Sequence, residues 1–247
     1  VPGVRPGDEV WVRVDLAVMN DSSGPRRFRS VFADLGDRLW DPRRVVIAMD
    51  HFIPASNLRH AEILKTTREW ARTHGVSHFF EYDGILHNLL LEQRLARPGT
   101  FIAGADSHTT TAGAVGAVAV PIGSTELATV LATGEMWVSV PHSIRVGLEN
   151  RLPPGVAARD AALAVLAQLG PDYANYAAVE FAGSGIRRLS IEDRAVFTNT
   201  SVEMGAKNAI VPPDDATWLY TGSDPDASLV SDPDAQYRAT HHFDLDR

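Results

Sequence analysis

Short apolar runs alternate with segments of helical periodicity along most of the chain. Val45–Met49 and the segments 101–105 and 144–148 have the length and apolar character of buried strands. Between such runs the spacing of apolar residues changes to that of amphipathic helices, as over 56–75 and 157–169. This alternation favours an α/β fold with a largely parallel sheet.

The remaining patterns predict further elements of the same two kinds. Alternating valine and leucine residues over 9–19 predict one long strand, and 124–137 is predicted as a helix. Shorter strands are expected over 77–80, 179–181 and 209–211, and a further helix over 190–205.

The end of the chain differs in composition from the rest. From residue 221 onward it is rich in Asp and Pro and has few apolar residues before Phe243. We expect an α/β region over 1–220 and an acidic tail over 221–247 that serves as a linker or lies along the surface.

The composition excludes several kinds of site and partner. The chain has 247 residues, no cysteine and a net charge of −8. Without cysteine it cannot form disulfides, thiolate nucleophiles or Cys-ligated zinc and iron–sulfur sites. The acidic charge disfavours nucleic acid and anionic membranes, and no apolar run approaches the ~20 residues of a membrane span. We therefore expect a small-molecule ligand and a cytoplasmic location.

Polar side chains follow two of the predicted strands at their carboxyl ends. Asp50 and His51 come directly after Val45–Met49, while Asp106 and His108 follow the strand over 101–105. In open α/β sheets ligands bind beyond the carboxyl ends of the strands. A carboxylate that accepts a hydrogen bond from one imidazole nitrogen fixes the tautomer and suits the ring for acid–base chemistry near neutral pH.

Structural interpretations of these residues stay open at this point. An Asp after a strand often caps a helix or forms a turn, and a single His is commonly structural. His87 lies just beyond the strand over 77–80. Asn199 and Glu203 lie four residues apart on one helix face, which an exposed polar face would also explain.

Several motifs, in order along the chain, resemble those of aconitases and of the large subunits of isopropylmalate isomerase and homoaconitase. The segment 104–109 resembles the G-x-D-S-H-T signature of that family. Further matching segments are 49–54, 84–87, 98–99, 131–134, 180–183, 189–194 and 199–206. The resemblance covers residues 5–220 and implies an aconitase-like fold of parallel sheets between helices, in three α/β/α layers and two closely packed subdomains.

The resemblance also implies roles for individual residues. It pairs three histidines with carboxylates as catalytic groups: His51 with Asp50, His87 with Asp106, and His108 with Glu203. On the substrate side it places Asn20, Ser107, Thr109 and Asn199.

The family's iron–sulfur ligands are missing here. The family holds a [4Fe-4S] cluster on three cysteines, and it has a mobile domain that is often a separate subunit. We expect no cofactor on this chain itself, and a [4Fe-4S] cluster only where another region or a partner chain supplies cysteines. A mononuclear divalent ion on the histidines and Glu203 is a weaker alternative, so no metal ligand is assigned.

Three functional hypotheses follow. The first is a lyase-like enzyme of specialised metabolism, shortened and cluster-free, whose His–carboxylate pairs catalyse elimination, hydration, hydrolysis or cyclisation of a small carboxylate- or carbonyl-bearing metabolite. The second is a fragment or split large subunit of a [4Fe-4S] hydroxy-acid dehydratase, completed by another chain, with a small-subunit-like or self-association partner. The third is a non-catalytic partner protein that keeps the pairs as core hydrogen bonds.

Overall fold

Three β-sheets and the helices around them make up the computed structural model, which describes residues 3–246. The strands are β1 (Glu9–Arg13), β2 (Leu16–Asn20), β3 (Val45–Met49), β4 (His78–Glu81), β5 (Phe101–Gly104), β6 (Val118–Pro121), β7 (Glu135–Ser139), β8 (Ser143–Glu149), β9 (Ala178–Ala182), β10 (Asn208–Ile210) and β11 (Ala239–Asp244).

The helices lie between these strands. The α-helices are α1 (Pro25–Asp34), α2 (Leu58–Thr73), α3 (Leu86–Glu92), α4 (Ser124–Thr133), α5 (Ala158–Leu169), α6 (Ile191–Thr200) and α7 (Asp215–Thr221). Segments of 3-10 helix cover Pro42–Arg44, Ser107–Val115, Ile186–Arg188, Ser201–Met204 and Ala227–Leu229. None of the helices over 3–246 combines the length and hydropathy of a bilayer-spanning segment.

The predicted α/β fold with parallel sheets flanked by helices is confirmed. One sheet has five parallel strands in the order β4-β3-β2-β5-β6, and another has four in the order β10-β9-β8-β11. Helices α1, α2 and α4 cover one face of the five-stranded sheet, whereas α3 and Ser107–Val115 cover the other. The third sheet is an antiparallel pair of β1 and β7.

Two segments that were predicted as single elements each form two elements in the structure. The alternating segment 9–19 forms β1 and β2, because the chain leaves β7 after Arg13 and joins β3 and β5 from Leu16 onward. The predicted helix over 124–137 ends at Thr133, because Gly134 adopts a left-handed conformation with φ +73° and the chain continues as β7.

The segment predicted as an acidic tail contains a strand. Residues Ala239–Asp244 form β11 and pair in parallel with β8 at the edge of the four-stranded sheet. Its burial alternates along the strand, as an edge strand allows, so only half of its residues need to be apolar. The description as a tail is therefore wrong for these six residues, and the division of the chain at residue 220 stays a prediction.

A fully buried arginine attaches α7 to α6, the helix that packs on the four-stranded sheet. The guanidinium of Arg194, in α6, donates to both carboxylate oxygens of Asp214 at 2.8 Å, and Asp214 caps α7. Burial of Asp214 raises the pKa of its carboxyl, but the hydrogen bonds and charge of Arg194 together with the Thr217 hydrogen bonds hold that pKa below its ordinary value. This bidentate pair fixes where the chain goes after β10.

The two parallel sheets meet along the small-residue segment Ser107–Val115. A Cβ atom on Gly113 would lie 1.7 Å from the carbonyl oxygen of Ala209 in β10, and the N–H of Val211 donates to the carbonyl of Gly113 at 2.9 Å. Only a residue without a side chain permits this approach. The four-stranded sheet is therefore held directly against Ser107–Val115, the segment that Asp106 caps.

Gly113→Ala should destabilise the protein by about 3 kcal/mol or prevent folding, since the added methyl would overlap backbone atoms. The matched control is Gly123→Ala, whose Cβ would lie 3.4 Å from Oε2 of Glu126, the end of a flexible side chain. Urea unfolding of both variants checks this. Equal stability of the two variants would contradict the packing described for Gly113.

Candidate acid–base site

Asp106 lies at the centre of the predicted site and connects three parts of the fold. It follows β5 and caps Ser107–Val115, where its Oδ1 accepts the backbone N–H of His108 at 2.8 Å. The same oxygen accepts a hydrogen bond from Nε2 of His87 in α3 at 2.9 Å. Its Oδ2 accepts from Nδ2 of Asn20, at the end of β2, at 2.9 Å. The carboxylate thus joins a strand, a helix and its own loop.

The surroundings of Asp106 keep its carboxyl ionised. Burial raises the pKa of this group, but the hydrogen bond and charge of His87, the backbone N–H of His108 and the charge of His108 together lower that pKa well below 3.8. Because the pKa is lower in the folded state, this group stabilises the fold above the ordinary carboxyl pKa. That contribution is lost as the pH falls through the folded-state value.

The imidazole of His87 is placed beside Asp106 and is largely buried. Its Nε2 donates to the carboxylate, since an ionised carboxylate only accepts hydrogen bonds. Its Nδ1 is buried and has no hydrogen-bond partner among residues 3–246. The predicted pairing of His87 with Asp106 is thus present as a contact, and this side chain is the least accessible of the three histidines.

His51 follows β3 and is held by the carboxylate beside it. Its Nδ1 lies 2.6 Å from Oδ1 of Asp50, whose Oδ2 accepts the backbone N–H of Leu86 at 2.7 Å. The hydrogen bond to Asp50 raises the pKa of His51, burial lowers it, and the charges of Asp50, Asp21 and Asp106 raise it further, so that it lies above 6.5. The ring is 45% exposed, so the imidazole faces solvent.

Asp21 is a member of the site that the sequence analysis did not assign. It is fully buried, and its two oxygens accept the backbone N–H groups of His51 at 3.0 Å and Phe52 at 2.9 Å. Asp21 directly follows β2, as Asp50 follows β3. The rule that placed Asp50 would also have found Asp21, had the strand predicted over 9–19 been extended to Asn20, where β2 ends.

Asp21, Asp50 and His51 could also be considered as metal ligands. One ligand atom from each lies within 4.8 Å of the others. However, both oxygens of Asp21 and Oδ2 of Asp50 accept backbone N–H groups, and Oδ1 of Asp50 is bound to His51. A cation bound to Nδ1 of His51 would displace the His51–Asp50 hydrogen bond, so the contacts favour the hydrogen-bonded pair.

His108 lies between two carboxylates. Its Nε2 is 3.6 Å from Oε1 of Glu203, and its Nδ1 is 3.7 Å from Oδ1 of Asp106 and 3.2 Å from Oγ of Ser107. The predicted neighbour Glu203 is therefore adjacent, although at a distance longer than a hydrogen bond. The rings of His108 and His87 are 6.3 Å apart between centroids.

The residues predicted to bind substrate differ in accessibility. Ser107 is exposed beside His108. Three others make internal contacts: Oδ1 of Asn20 accepts four hydrogen bonds within its own turn, the buried hydroxyl of Thr109 donates to the Asp106 carbonyl at 2.6 Å, and Asn199 donates to Thr111 at 2.9 Å. In this arrangement Ser107 can contact a ligand, whereas Asn20 and Thr109 hold the scaffold.

Comparison with known proteins confirms the resemblance read from the motifs. The sequence model of the aconitase family (aconitate hydratase) matches residues 4–247. The chain is 40% identical to 3-isopropylmalate dehydratase large subunit 1 of Methanopyrus kandleri, over 97% of this chain and 58% of that protein. It is also 40% identical to the probable methanogen homoaconitase large subunit of Methanothermobacter thermautotrophicus, over 98% of this chain and 58% of that one.

A solved structure shows the same fold. The crystal structure of Thermococcus kodakaraensis aconitase X in its holo-form superposes with a TM-score of 0.53 and 11% identity, over 95% of this chain and 57% of that chain. At this identity the likeness establishes the fold alone. The chain spans a little under three fifths of the length of the relatives it matches.

Asp50→Asn should lower the pKa of His51, because the neutral amide cannot stabilise an imidazolium as the carboxylate does. The NMR titration of the His51 ring measures this directly. Because folding raises the pKa of His51, its stabilising contribution is complete below 6.5 and is lost as the pH rises through the folded-state value. Asp37→Asn, which removes a carboxylate 3.1 Å from His74, is the control. An unchanged His51 titration in Asp50→Asn would refute the pairing.

Proposed function

Because the chain belongs to the aconitase family, we propose that it supplies acid–base groups for a lyase-type reaction on a small carboxylate- or carbonyl-bearing metabolite. The observation that carries this proposal is the half-exposed His51 imidazole, hydrogen-bonded to Asp50 and with a raised pKa. An imidazole that is hydrogen-bonded to a carboxylate and faces solvent is suited to donate a proton to a leaving oxygen.

The second proton-transfer group in this proposal is His108. Its side chain is 38% exposed and lies between the carboxylates of Asp106 and Glu203. His51 would then act as general acid and His108 as general base, with Ser107 beside it as a substrate contact. His87 supports Asp106 from the buried side.

The rate gain available from acid–base catalysis restricts which substrates a cluster-free enzyme could convert. One positioned acid or base contributes about 10²–10⁴-fold to a rate, which does not replace a Lewis acid for an unactivated hydroxyl. The substrate of such an enzyme would therefore carry a better leaving group, a conjugated acceptor or a strained ring. Elimination, hydration, hydrolysis and cyclisation all fall within this chemistry.

The family's [4Fe-4S] cluster does not fit the residues of this chain. Its ligands are cysteine thiolates, and none of the 247 residues is cysteine. The proposal therefore contains no step at a cluster held by this chain. A mononuclear divalent ion is likewise not part of the proposal.

A second candidate function is that of a large-subunit part that another chain completes. Two findings favour it: the relatives are named as large subunits, and this chain spans 57–58% of their length. In that case cysteines of another chain would hold the cluster beside His51 and His108, and a small-subunit-like partner would close the site. A cytoplasmic location remains part of both proposals.

His51→Gln should lower the rate of proton exchange or elimination by about 10²–10⁴-fold, because the amide cannot donate as an imidazolium does. The assay follows candidate carboxylic and carbonyl metabolites by NMR in deuterium oxide. His142→Gln changes an exposed histidine outside the site and is the control.

Two outcomes of this assay separate the hypotheses. Turnover that needs added iron, sulfide and a cysteine-containing partner would favour the split large subunit. A loss of only a few-fold in folded His51→Gln and His108→Gln variants, assayed on a substrate that the wild type turns over, would refute the acid–base proposal and favour a structural role for the pairs.

A further inference from the structure

Three arginines lie near the starts of two helices that follow neighbouring strands, β2 and β3. Arg26 and Arg27 are in the first turn of α1, and Arg59 is in the first turn of α2; all three are exposed. We refer to these three residues as the arginine cluster. Across residues 3–246, none of the ion pairs joins one of these guanidinium groups to a carboxylate.

The three like charges of the arginine cluster repel one another. Partial burial lowers the pKa of the Arg26 guanidinium, and the charges of Arg27 and Arg59 lower it further, so the three like charges act on one another. The chain as a whole carries a net charge of −8, and carboxylates pair with arginines elsewhere in the fold, as Asp41 does with Arg43 at 2.8 Å. Three guanidinium groups that form no ion pair within residues 3–246 are free to bind an anion.

Hydrogen bonds connect the α1 end of the cluster to the centre of the acid–base site. Nε of Arg27 donates to the carbonyl of Ser22 at 3.4 Å, and the N–H and hydroxyl of Ser22 both donate to Oδ1 of Asn20 at 3.0 Å. Asn20 in turn donates to Asp106. The first turn of α1 therefore belongs to the turn that supports Asp106.

The α2 end of the cluster is connected to the loop that carries His51. His60, the neighbour of Arg59, packs its ring on that of Phe52, with 4.5 Å between the centroids. The backbone N–H of Phe52 is held by Asp21, as is that of His51. Because α1 and α2 follow the neighbouring parallel strands β2 and β3, the arginine cluster and His51 lie at the same edge of the sheet.

We propose that Arg26, Arg27 and Arg59 bind an anionic group of the substrate, a carboxylate or a phosphate, beside His51. Guanidinium groups match both kinds of oxyanion through paired hydrogen bonds. The site would orient the substrate by its charged end and leave its reacting end to His51 and His108. The placement of the reacting end rests on the proposed function, whereas the binding of the anion does not.

The test uses the full chain and two probes, tricarballylate for a carboxylate ligand and inorganic phosphate for a phosphate ligand. Either probe should raise the melting temperature of the wild type beyond the effect of sodium chloride at equal ionic strength, because a ligand that binds only the folded state stabilises it. The stronger probe identifies the chemical class. An effect no larger than that of chloride would overturn the proposal.

Arg26→Gln and Arg59→Gln should each weaken probe binding about tenfold in calorimetric titrations, as expected for the loss of one charged hydrogen-bonding group. Without probe, both variants should be at least as stable as the wild type, because they relieve repulsion. Arg72→Gln, an exposed arginine in the last turn of the same α2, is the matched control and should bind normally.

Two results would overturn the proposal of an anion site. One is unchanged probe affinity in Arg26→Gln and Arg59→Gln, and the other is an equal loss in Arg72→Gln, which would indicate a general charge effect. Because these titrations involve no turnover, they stand apart from the His51→Gln assay. If the acid–base proposal is wrong, the probes should still bind normally. If the anion site is wrong, His51→Gln should still lower the rate of turnover.

Discussion

The buried carboxylate of Asp106 is the interaction on which the rest of the site depends. It accepts hydrogen bonds from Asn20 after β2, from His87 in α3 and from the backbone of His108. The segment that it caps is also the surface on which the second sheet packs through Gly113. One ionised group therefore sets both the positions of two histidines and the start of the contact between the sheets. Its charge is sustained inside the protein because every hydrogen bond that it accepts favours the ionised form.

Around this centre, buried carboxylates hold imidazoles that differ in exposure. Asp21 and Asp50 fix the backbone and ring of His51, which remains half-exposed, while His87 is buried against Asp106. The buried groups supply geometry and charge, and the exposed rings of His51 and His108 are accessible to a ligand, as the proposed acid–base roles require. The three arginines at the starts of α1 and α2 lie at the same edge of the sheet, where the anion site is proposed.

Much of this arrangement could be predicted from the sequence, because apolar strands that end in Asp-His or Asp-Ser-His place those side chains at one edge of a parallel sheet. Asp21 was missed because the strand predicted over 9–19 ends one residue before β2 does, at the polar Asn20. The strand β11 was missed because a half-buried edge strand needs few apolar residues. The arginine cluster lies at the starts of two helices that are distant in sequence, and the pairing of β2 with β3 places those starts at one edge of the sheet.

The carbon-13 NMR titration of the Asp106 side-chain carboxyl tests this account most directly. It should show a group that stays ionised well below pH 3.8 while the protein remains folded, because its hydrogen bonds outweigh its burial. The chemical shifts of His87 and the His108 amide should change together with it. A carboxyl that titrates at or above pH 3.8, independently of those two residues, would contradict the claim that an ionised Asp106 organises the site.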